Sequence, residues 1–79
     1  MANALQEQYA EQLLERIRAD RYPSIDYMNI LEEIAPPRVL LEYTIHLFER
    51  IENETYPSIP MLRRLQGLVG RWGLELPPG

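Results

Sequence analysis

Only one histidine, His46, and no cysteine are present among the 79 residues, although these two residue types supply many catalytic bases, nucleophiles and metal ligands. A single histidine excludes a multi-histidine metal site, and acid–base catalysis would need a partner brought close by folding. Glu42 and Arg50 lie four residues before and after His46. Because His46 lies away from the apolar stripe of its predicted helix, we predict a solvated surface residue.

The serines and paired carboxylates have structural explanations. Ser24 and Ser58 each stand in a Tyr-Pro-Ser-Ile segment, which could be read as a sorting or phosphorylation peptide. Both copies fall between predicted helices, so we interpret the serines as helix N-caps. No GxSxG-like turn is present, and the adjacent Glu32 and Glu33 point different ways on a helix. The sequence therefore predicts no catalytic residue, no metal site and no cofactor, and indicates that the protein is not an enzyme.

Charge is unevenly distributed along the chain. Twelve carboxylates oppose eight basic residues, all arginine, and the net charge of −4 disfavours nonspecific attraction to nucleic acid. Two oppositely charged patches are predicted on helices 2 and 4, formed respectively by Asp26, Glu32 and Glu33 and by Arg63, Arg64 and Arg71. The patches would steer self-association, or the arginines would bind phosphate in a nucleic-acid-associated regulator, which is our alternative hypothesis.

The elements that carry these residues are related by an internal repeat. Shifting the chain by 34 residues aligns Leu5–Ile34 with Val39–Leu68, and ten of the thirty aligned positions are identical. Unrelated segments would share roughly two. We therefore predict an all-α fold, a compact four-helix domain over residues 1–71 made of two tandem helical hairpins, at 2–35 and 37–70, followed by a tail at 72–79.

Apolar periodicity and proline positions predict the helices. Helix 1 runs from Ala2 to about Ala19, and helix 2 follows Ser24. Pro37 suits the first position of helix 3, which runs to about Asn53, because that position needs no backbone donor. Helix 4 follows Ser58 and is expected to end near Gly70. No segment has the basic start and apolar run of a secretory signal or the length of a membrane span, so we expect a soluble, cytoplasmic protein.

Helix 3 is more apolar than helix 1. Where helix 1 has Gln6, Glu7 and Glu11, the aligned positions of helix 3 carry Leu40, Leu41 and Ile45. Leu40 falls inside the shared stripe, whereas Leu41 and Ile45 widen the apolar arc from roughly 180° to roughly 240°. Three explanations remain open: helix 3 is central in the bundle, the tail covers it, or another chain does.

The tail alternates apolar with small or acidic residues and ends in two prolines, a pattern typical of an extended peptide. Trp72, Leu74 and Leu76 either pack on their own bundle or anchor a partner. Our hypothesis is a non-enzymatic protein–protein interaction module or accessory subunit, most simply a homodimer. Its candidate interface consists of Leu41, Ile45, Trp72, Leu74 and Leu76.

Overall fold

A computed structural model describes residues 4–72 of the chain, with the side chain of Trp72 excepted. This part forms four helices and no strand: α1 (Ala4–Ala19), α2 (Ile25–Ile34), α3 (Pro37–Asn53) and α4 (Ile59–Trp72). The predicted all-helical chain of four helices is therefore confirmed. The described residues fall into two compact units, the first ending at Tyr43 and the second beginning at Thr44. Helix α3 contributes its first seven residues to the first unit and the remainder to the second.

The first unit is organised around the contact between α1 and α2. Its buried side chains come from both helices and from the start of α3, and they are Ala10, Leu13, Leu14, Ile17, Met28, Leu31, Val39, Leu40 and Tyr43. Two polar contacts accompany this core. The side-chain amide of Gln6 donates to the carbonyl oxygen of Ile34 at 2.7 Å, and the Tyr43 hydroxyl donates to Glu32 Oε2 at 2.6 Å.

The second unit contains the rest of α3 together with α4. Its buried side chains are Thr44, Leu47, Leu65 and Leu68. The end of α3 is closed by Asn53, whose side-chain amide donates to the carbonyl oxygen of Glu49 at 3.0 Å.

Serine caps begin α2 and α4. Ser24 Oγ accepts from the backbone N–H of Tyr27 at 3.4 Å, and Ser58 Oγ accepts from the backbone N–H of Met61 at 3.2 Å. These bonds satisfy one orphan donor of each helix. Pro60 follows in the first turn of α4, where the missing backbone N–H removes no intrahelical bond.

The end of α4 differs from the expectation. The helix continues through Gly67 and Gly70 to Trp72, two residues beyond the predicted end. A glycine inside a helix costs only about 1 kcal/mol relative to alanine, and burial of Leu68 between the two glycines favours the helical conformation. The remaining residues of the predicted tail, including Leu74 and Leu76, lie outside the described residues.

Candidate protein-binding surface

The apolar residues by which helix 3 exceeds helix 1 lie on the surface. Leu41 is 42% exposed and Ile45 is 48% exposed, whereas the neighbouring Leu40 is buried. Of the three explanations for the wider arc, central placement in the bundle does not apply to these two side chains. Leu40 is buried while Leu41 and Ile45 are exposed because the buried positions of α3 occupy one arc of the helix, and Leu41 and Ile45 lie outside that arc.

Phe48 completes this exposed surface. Its side chain is 46% exposed, and the spacing i, i+4, i+7 places Leu41, Ile45 and Phe48 within an arc of about 60° on α3. We call these three residues the α3 strip. Sequence reasoning missed Phe48 because the repeat aligns it with Leu14, which is buried. Its spacing from Ile45 was the available signal.

Carboxylates border the α3 strip at its C-terminal end. Glu49 and Glu52 are both exposed, and they follow Ile45 by four and seven residues, which places them beside the strip. Glu42, half-buried, lies three residues before Ile45. The strip is therefore a short apolar surface with an acidic border.

Arg38 is the basic residue nearest the N-terminal end of the strip, and carboxylates already surround it. Its guanidinium binds Glu7, Glu11 at 2.5 Å and Glu42 at 3.4 Å. The hydrogen bonds to Glu11 and Glu7 raise the pKa of Arg38 above its usual value, so the cation persists throughout the acid and neutral range. Three carboxylates against one arginine leave this cluster with excess negative charge.

His46 differs from the prediction of a solvated residue. It is half-buried, and its Nε2 accepts a hydrogen bond from Nε of Arg50 at 2.9 Å. The sequence indicated Arg50 as a neighbour but not the burial. Glu32 also differs from a freely solvated charge, because it is half-buried and accepts the hydrogen bond from the Tyr43 hydroxyl.

The three arginines of the predicted patch lie within an arc of about 100° on α4. Arg63 and Arg71 are exposed, whereas Arg64 is half-buried. Arg64 also already interacts with another group of the protein. The exposed cationic surface therefore depends mainly on Arg63 and Arg71. Trp72 follows as the last residue of α4.

A second surface lies within the first unit. A groove of about 630 Å³ is lined by two half-exposed tyrosines, Tyr9 and Tyr27, together with Leu13, Arg16 and Ala19 among others. Its volume falls in the range of small-molecule sites. Glu15 and Gln12 also belong to its described lining, which contains neither histidine nor serine.

Among residues 4–72, no group of three or more histidine, aspartate or glutamate side chains is placed to hold a metal ion. Within the same range, every helix is too short or too polar to cross a bilayer. No protein-family model, curated protein or solved structure matches this chain.

Proposed function

We propose that this chain is a small, non-enzymatic protein-interaction module that self-associates by burying the α3 strip. The observation that carries the proposal is the exposure of three large apolar side chains on one face of one helix. Contiguous apolar surface of this kind marks interaction sites more often than scattered single residues do. The i, i+4, i+7 spacing is the one through which an amphipathic helix docks on another helix.

The expected association is weak and reversible. Complete burial of a leucine, isoleucine or phenylalanine side chain contributes about 1.5–3 kcal/mol, and more than half of each strip residue is already buried in the single chain. Association also costs an estimated 4 kcal/mol or more in lost freedom of motion. We therefore expect a dissociation constant of about 0.1–1 mM, with the largest single contribution from Phe48.

The test is the solution mass of Leu41→Glu/Ile45→Glu. We expect sedimentation equilibrium to show a concentration-dependent dimer for the unchanged chain and a monomer for this variant, with equal helix content by circular dichroism. Leu5→Glu/Ile25→Glu is the matched control, since both residues are exposed, apolar and helical but lie outside the strip. A strip variant that unfolds, or that dimerises like the control, would contradict the proposal.

The proposal includes the origin of the scaffold. We infer that the two hairpins are copies of one helical pair, of which the second acquired the binding surface. Support comes from the ten identities and from Ser24 and Ser58, which occupy aligned positions and cap α2 and α4 in the same way. A cytoplasmic location is part of the proposal, and the absence of cysteine suits a reducing compartment.

The alternative, a nucleic-acid-associated regulator, has less support. The exposed arginines on α4 number only two, whereas proteins that bind nucleic acid usually contact the phosphates through several cationic side chains. The net charge of −4 also opposes binding to phosphate. A mobility shift with random duplex DNA at low salt tests it directly. We expect no shift at micromolar protein.

A further inference from the structure

We propose that two copies pair reciprocally, so that the α3 strip of each copy binds the α4 helix of the other and the contact closes as a dimer. This inference rests on the proposed function and specifies its partner. It is supported by the charges beside the strip, by the composition of the exposed face of α4, and by the charge conflict in the alternative pairing of two α3 helices.

The exposed face of α4 combines apolar side chains, which can pack on the strip, with a basic side chain, which can pair with its acidic border. Ile59, Leu62 and Arg63 are exposed and lie within an arc of about 100° on the helix, and we call these three residues the α4 edge. Gly70 falls on the same arc, and a Cβ built there meets nothing within 4 Å, so a second helix can approach closely. Arg71, at the end of the helix, lies about 80° from Arg63 on the flank of this arc.

The charges of the two surfaces are complementary. Glu49 and Glu52 border the strip and are exposed, while Arg63 and Arg71 are exposed on α4. At the other end of the strip, Arg38 already binds three carboxylates and does not make that end basic. An acidic border facing a basic helix attracts over a distance of about 10 Å at moderate salt and selects this partner over others.

Pairing of two α3 helices lacks this complementarity. In a parallel pair, Glu49 and Glu52 would face the same residues of the second copy. In an antiparallel pair centred on Ile45, Glu52 would face position 38, where the surrounding carboxylates outnumber the arginine. Both arrangements bring like charges together, which costs binding energy. A contact between α3 and α4 avoids the conflict.

Complementary charge reversal tests the inference. One variant carries Glu49→Arg/Glu52→Arg, which makes the strip border basic, and the other carries Arg63→Glu/Arg71→Glu, which makes the α4 face acidic. Each alone should have a dissociation constant at least about tenfold higher than the unchanged chain, because its two surfaces now repel. Mixed one to one, the variants should form a heterodimer, since each then meets an opposite charge.

Arg16→Glu/Arg18→Glu is the matched control. Both residues are exposed on α1, and the change in net charge equals that of the α4 variant. This control should associate like the unchanged chain. Circular dichroism of all variants checks that the helices remain. Raising salt from about 50 to 500 mM should weaken the association of the unchanged chain, because exposed charges are screened.

The two proposals fail in different ways. If Ile45→Glu/Phe48→Glu associates like the unchanged chain, the strip is not the contact and the proposed function is wrong. If that variant is monomeric while Arg63→Glu/Arg71→Glu still associates normally, the strip binds another surface and only the present inference is wrong. Failure of the mixture to form a heterodimer, or binding of duplex DNA through Arg63 and Arg71 without self-association, would also overturn it.

Discussion

The same face of two aligned helices has opposite properties in this molecule. On α1 the face carries Glu7 and Glu11, and both carboxylates bind Arg38 within the first unit. The aligned positions on α3 are Leu41 and Ile45, which are apolar and exposed. A face that is polar and partnered on α1 is apolar and exposed on α3, which is why the proposed binding surface lies on α3.

Identical residues also differ between the halves. Tyr9 and Tyr43 are aligned, yet Tyr9 is 49% exposed while Tyr43 is fully buried and donates its hydroxyl proton to Glu32. Leu14 and Phe48 show the reverse relation, since Leu14 is buried and Phe48 is exposed. Identity at two aligned positions therefore does not imply the same environment, and substitutions at such positions can measure the difference.

The largest expected effect is at the tyrosine pair. Tyr43→Ala should lower the free energy of unfolding by about 3–5 kcal/mol, because it removes a large buried ring and leaves Glu32 without its hydroxyl donor. Tyr9→Ala should cost less than about 1 kcal/mol, since half of that side chain is in solvent. Urea denaturation of the two variants measures both values. Equal losses would contradict the difference in burial.

Leu14 and Phe48 separate stability from association. Leu14→Ala should destabilise the fold by about 2–5 kcal/mol through loss of a buried side chain but leave the strip unchanged. Phe48→Ala should lower the free energy of unfolding, measured by urea denaturation, by about 1 kcal/mol or less. The same variant should self-associate measurably more weakly in sedimentation experiments. If Phe48→Ala unfolds the chain as Leu14→Ala does, the exposed surface assigned to Phe48 is wrong.

The two serine caps occupy aligned positions and should behave alike. Ser24→Ala and Ser58→Ala should each cost about 1 kcal/mol, since each removes one side-chain acceptor from a helix N-terminus. Thermal unfolding followed by circular dichroism measures both. If only one of the two substitutions lowered the melting temperature, the N-termini of α2 and α4 would not be equivalent.

The smallest effect is expected at Gly67, where the halves differ in composition. Gly67→Ala should stabilise the chain by about 0.5–1 kcal/mol, because alanine is the better helix former and its Cβ would meet no atom within 4 Å. The aligned residue, Glu33, is already a good helix former, so Glu33→Ala serves as the control and should change little. A lower melting temperature for Gly67→Ala would indicate that α4 approaches another surface closely at this point.

Much of the fold could be predicted because its signals are local. Proline and serine mark the starts of α2, α3 and α4, and apolar spacing indicates the buried face of each helix. The end of α4 was placed too early because glycine weakens a helix without ending it. Burial of Leu68 outweighs that cost, and it depends on packing that the local pattern does not reveal.

The candidate site could be predicted only in part. Leu41 and Ile45 were identifiable from their contrast with Glu7 and Glu11, but their exposure was not, because it depends on which neighbouring element covers them. Phe48 was missed because it aligns with Leu14, so that the comparison of the two helices shows no change from polar to apolar there. The binding of Arg38 to Glu7 and Glu11 joins residues 31 and 27 positions apart, a separation at which spacing along the chain carries no information about contact.

The sequence by itself determined the helical class, the number of helices and the residues that start them, because these depend on interactions within a few residues. Tertiary structure alone decided which of two identical tyrosines is buried, which charges pair, and which apolar residues remain in solvent. The physical reason is that each helix has an apolar arc set by its own residues, whereas coverage of that arc depends on where distant helices lie.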